Sequence, residues 1–143
     1  MGQNGGQRAG RATGEELIAD LLASNATPAE ALDIHVRSLV ELPSHGATFY
    51  TWLTIRSLIL PLSELEADEV VAVLAGALKR SPLRLDRATR NAVEKAETKL
   101  GNPAFEDAAA RGSRFDPAEA RRYIIEVWRG MTAGRAKPNA ADL

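Results

Sequence analysis

Between Gly46 and Leu62 the chain reads GATFYTWLTIRSLILPL, with Arg56 as its one charge. At about 100° of rotation per helical residue, Phe49, Trp52, Leu53, Ile55, Leu58, Ile59 and Leu60 cover well over half the circumference. Tyr50, Thr51, Thr54 and Ser57 fill the rest. A helix that is apolar most of the way round is enclosed by its neighbours rather than resting on one of them. The run is too short and too interrupted to cross a bilayer, which takes about 20 apolar residues. The pattern predicts a buried central helix over residues 47–60, stopped by Pro61.

Narrower apolar stripes predict the helices around it. Thr13 caps a first one, with Leu17, Ile18, Leu21 and Leu22 inward. Thr27-Pro28-Ala29-Glu30 combines an N-cap, a proline at the first helical position and a glutamate three residues after the cap, and opens a helix to about Leu42. Leu32, Val36, Leu39 and Val40 form its stripe, while Ile34 falls on the polar side among Glu30, Arg37 and Glu41. Residues 67–79 are amphipathic, with Val70, Val71, Val73, Leu74, Ala77 and Leu78 inward. Asp86 caps a helix that ends at Gly101-Asn102-Pro103; its thin stripe of Thr89, Ala92, Val93, Ala96 and Leu100 places it on the outside. Pro103 to Ala110 reads as a short helix anchored by Phe105. Asp116-Pro117-Ala118-Glu119 then repeats the earlier start signal. The final helix points Ala120, Tyr123, Ile124, Val127, Trp128 and Met131 inward and Arg121, Arg122, Glu126 and Arg129 outward. The expected fold is all-α: a compact bundle of six to seven helices forming one domain over residues 13–132. Disordered tails are expected at 1–12 and 133–143.

Composition agrees with that pattern and narrows the chemistry. An apolar fraction of 45% and a charged fraction of 26% over 143 residues are those of one ordinary globular domain. Abundant Ala and Leu with few aromatics favour helix. The absence of cysteine excludes disulfides, thiolate nucleophiles and cysteine-ligated zinc. The polar, Gly-rich N-terminus has no apolar central segment of a secretory signal, so the cytoplasm is the expected compartment, with no membrane partner. The richness in Ala, Arg and Gly has the look of a GC-rich bacterial coding bias.

Catalytic signatures are missing from the chain: there is no G-x-S-x-G, no H-E-x-x-H and no phosphate-cradling glycine loop. His35 and His45, with Asp33 or Glu41, match no recognised metal-ligand spacing, so neither a metal nor a cofactor is expected. Paired carboxylates such as Asp68 and Glu69 stand in helix first turns, where the helix dipole accounts for them. No enzyme is expected. Arg56 is the anomaly of the central stretch, projecting between Phe49, Trp52, Leu53, Ile59 and Leu60. A guanidinium stays charged, so burying it unpaired is very costly. One reading stacks it on Trp52 and pairs it with Asp33, Glu41 or Glu64. The other opens it to a pocket that receives an anion.

Two functional readings remain. The leading one is a non-enzymatic interaction module, an adaptor, assembly subunit or regulator that meets another protein or a second copy of itself. It rests on Ile34 with Arg37, and on Ile125 flanked by Arg121 and Arg129: apolar residues ringed by charge, as at an interface centre. The alternative is a nucleic-acid-binding protein or a small subunit of a nucleoprotein complex. Lys79, Arg80, Arg84, Arg87 and Arg90 cluster against a single Asp86 and join two predicted helices, as in a helix-turn-helix. Within this region LDRATRNAVEKAETKLGNPA resembles the third DNA-binding-domain helix of LacI-type repressors in its cap, its Thr-Arg and its Ala-x-x-x-Leu-Gly ending. It lacks that family's preceding recognition helix and lies mid-chain, so it is read as shared helix chemistry.

Overall fold

The computed structural model describes residues 22, 25–41 and 48–136. The expected N-terminal tail, all of the expected first helix except Leu22, the turn holding His45, and residues 137–143 lie outside these. Leu22 is helical and exposed rather than inward.

Beyond Leu22, the described residues form six helices: α1 Pro28–Val40, α2 Thr48–Glu64, α3 Asp68–Leu78, α4 Arg87–Leu100, α5 Asn102–Ser113 and α6 Pro117–Ala136. The fold is all-α, and α2 is its buried centre, packed against α1, α3, α4 and α6. Trp52 is 5% exposed, and Ile55, Leu58 and Ile59 are fully enclosed.

Local chemistry sets the boundaries. Thr27 makes a full capping box with Glu30, each side chain accepting from the other's backbone N–H. Asp116 and Glu119 repeat it before α6. The Asp86 carboxylate accepts from the Thr89 N–H at 2.8 Å. Gly101, with φ at 84°, turns the chain from α4 into α5.

Three expectations are corrected. Pro61 does not end α2: the helix runs one more turn, to Glu64, with Pro61 and Leu62 buried. The stop comes at Glu66, whose φ of 61° reverses the chain while the Ala67 N–H bonds the Leu62 carbonyl. The last helix likewise passes residue 132 and reaches Ala136. The third concerns α3, which is not amphipathic, because every residue from Val71 to Leu78 is buried.

The enclosure of α3 has a steric cause. It packs most extensively against α5, where small residues let the two backbones touch. A Cβ added to Gly76 would overlap the Ala109 carbonyl, and one added to Gly112 would overlap the Val73 carbonyl. Ala72, Val73 and Ala108 fill the space between. Glu69 and Arg111 form an exposed ion pair across the same helices.

Candidate interaction surfaces

The five residues expected at a protein interface fall on the two helices that form the α1–α6 seam. Asp33 of α1 accepts a 2.7 Å hydrogen bond from the Trp128 indole N–H of α6. One turn on, the Arg37 guanidinium lies 5.8 Å from the Trp128 ring centroid, a cation–π distance. Arg121, expected outward, instead turns in. Its Nη2 donates to the carbonyls of Leu39 at 3.4 Å and Val40 at 3.2 Å. These are carbonyls of the last turn of α1, the negative end of the helix dipole, which attracts a cation. Ile34 and Ile125 are half-buried, and Ile125 packs against the main core.

Outside this seam, α6 borders a hollow of about 320 Å³ lined by Ala118, Arg121, Arg122, Ile125, Glu126 and Arg129. Three arginines stand against one glutamate, and the apolar members are Ile125 and Ala118. Val40, joined to Arg121 through its carbonyl, is 39% exposed. An apolar centre with a cationic rim suits a partner segment that is apolar on one side and acidic around it.

Phe49 and Leu60 correct the expected wrapping of α2. They are 50% and 38% exposed and share one face with Leu53 and Arg56, at spacings of four, three and four residues. The remaining arcs of α2 are taken by four neighbouring helices; on this stripe Phe49 and Leu60 are exposed and Arg56 half-buried, while Leu53 between them is buried.

Arg56 is therefore half-buried, not sunk in an apolar arc, and among the described residues it bonds to a backbone carbonyl rather than to Asp33, Glu41 or Glu64. Its Nη1 donates to the Arg84 carbonyl at 3.2 Å, in the connection between α3 and α4. The nearby charge is Asp86, whose carboxyl is held below the ordinary 3.8 by its hydrogen bonds to Thr89, aided by Arg56 and Arg90 and opposed by partial burial.

The basic run divides. Lys79 lines a second hollow, of about 350 Å³, beside Glu97 and Glu106. Arg80 is tied to the Phe115 carbonyl at 3.1 Å. Arg84, Arg87 and Arg90 remain exposed around the start of α4, and Arg56 joins them from α2. Sequence proximity grouped Lys79 and Arg80 with them and missed Arg56. The helix-turn-helix expectation fails too: α3 is enclosed, and residues 79–86 form a longer connection than the 3–4-residue turn of that motif.

Among the described residues no three His, Asp or Glu side chains gather as a metal site, and no helix is long and apolar enough to cross a membrane. His35 is buried in α1, and Asp33 is engaged by Trp128. No family model matches the chain, and neither a curated protein nor a solved structure does.

Proposed function

We propose that this chain is a non-enzymatic, cytoplasmic interaction module whose α6 face receives an acidic, amphipathic segment of another protein. The observation that carries the reading is the hollow beside α6: Ile125 and Ala118 offer an apolar centre, and Arg121, Arg122 and Arg129 surround it. Such a rim steers an acidic partner toward the site, and the desolvated centre supplies most of the hold. Val40, exposed at the end of α1, is tied to the same face through the bond from Arg121 to its carbonyl. Arg121 is engaged by the α1 carbonyls, and the exposed Arg122 and Arg129 are placed to meet carboxylates from the partner.

The test is quantitative affinity purification from the native cell with wild-type chain, Ile125→Asp and the exposed double variant Arg122→Glu/Arg129→Glu. The reading expects the same bound proteins to be lost from both variants while circular dichroism stays helical. A strictly monomeric chain by light scattering whose bound proteins are unchanged in both variants would defeat it.

A further inference from the structure

We infer that the exposed surface at the start of α4 is a second, independent site, which binds the phosphate backbone of duplex nucleic acid without reading its sequence. Arg84, Arg87 and Arg90 stand exposed there, and Arg56 approaches from α2 through its 3.2 Å bond to the Arg84 carbonyl. The juxtaposition is tertiary, since Arg56 is far from the others in sequence.

Four features point to phosphate rather than to protein. Every cation in the cluster is arginine, whose planar fork matches phosphate oxygens in pairs. The cluster surrounds the first turn of a 14-residue helix, where the dipole adds positive potential. The acid at its centre, Asp86, is engaged in accepting the Thr89 N–H as the helix cap. The apolar residues of the connection, Leu83 and Leu85, pack against the core, so the connection itself presents arginine rather than an apolar centre; the exposed Phe49 and Leu60 lie on α2, to one side of it. From Arg84 to Arg90 the chain covers on the order of 10–15 Å, first extended and then helical. That matches a line of phosphates better than one small anion. Residues 83–91 hold no aromatic on which an unpaired base would stack, which favours a duplex over a single strand.

The measurement is fluorescence anisotropy of a labelled 20-base-pair DNA duplex of random sequence, titrated with the full chain. The controls are a single strand of the same length and a poly-glutamate peptide. Three neutralised phosphates give a slope of log affinity against log salt of about −2.7, so binding weakens about 40-fold between 50 and 200 mM salt. Replacing Arg84, Arg87 and Arg90 together by Ala removes binding, while Lys79→Ala leaves it unchanged. Asp86→Asn retains the cap and removes that opposing charge, and it tightens binding about twofold or more. No duplex binding at 50 mM salt overturns the inference, as does binding that survives the triple substitution. Equal or tighter binding of poly-glutamate that the triple substitution abolishes assigns the patch to an acidic protein instead, and tighter binding of the single strand removes the duplex assignment. Asp86→Asn is read independently, so a triple variant that loses its fold does not shelter the proposal.

Discussion

Gly76 of α3 lies directly against the Ala109 carbonyl of α5, and Gly112 of α5 returns the contact at Val73. Neither helix can move away, because α3 is also held by α2 and α4. Gly76→Ala and Gly112→Ala should each destabilise by about 2–4 kcal/mol, since the added methyl meets backbone and not a side chain that can rotate aside. Gly130, in α6, has open space around its Cα. Gly130→Ala should stabilise by about 0.5–1 kcal/mol through helix propensity. Urea midpoints of the three variants decide this, and equal effects at Gly76 and Gly130 would contradict the close packing.

The Asp86 cap predicts a pH dependence with a definite sign. Its carboxyl titrates below 3.8 in the folded chain, chiefly through the Thr89 hydrogen bonds. A depressed carboxylate contributes stability that is present above the unfolded value and lost as pH falls through the folded one. At neutral pH Asp86→Ala should cost about 1 kcal/mol, whereas Asp86→Asn keeps a neutral acceptor and costs little. Comparing urea midpoints at pH 6 and pH 3, the wild type should lose ground to Asp86→Asn at the lower pH. An unchanged difference between the two would remove the cap from this role.

Tyr123 predicts the opposite limb. Burial raises its phenol above 10.0, with Glu69 adding and Arg111 opposing; its ring lies 5.4 Å from that of Phe115. A raised group contributes stability that is intact below the unfolded value and lost as pH climbs through the folded one. Thermal midpoints between pH 9 and 11 should therefore fall more steeply for wild type than for Tyr123→Phe. Parallel curves would show that this phenol is solvated.

Much of this architecture was legible because its signals are local. Thr27, Asp86 and Asp116 announce three helices through hydrogen bonds that span only three residues. The apolar run from Trp52 to Ile59 identifies the centre for a similar reason: no single neighbour can cover it. What escaped was long-range. The glycine at 76 acquires its meaning only opposite Ala109, and Arg56 only opposite Arg84. Periodicity gave α3 a stripe, yet Ala72, Ala75 and Gly76 are small enough to accept a neighbour on every side. Pro61 failed to end α2 because burial of Leu58, Ile59 and Leu62 holds the last turn despite one missing hydrogen bond. On the surface, Ile125 was legible as an apolar residue among charges. The turning of Arg121 toward the Val40 carbonyl was not, since it depends on where α1 ends.

Both candidate surfaces are outer faces of helices that a doubly enclosed centre holds in place. Residue-resolved amide hydrogen exchange of the free chain tests this directly. Amides of Val71–Leu78 and of the middle of α2 should exchange only through global unfolding, while the last turns of α6 and the outer face of α4 exchange through smaller openings. Exchange from α2 and α3 as fast as from the end of α6 would contradict the account.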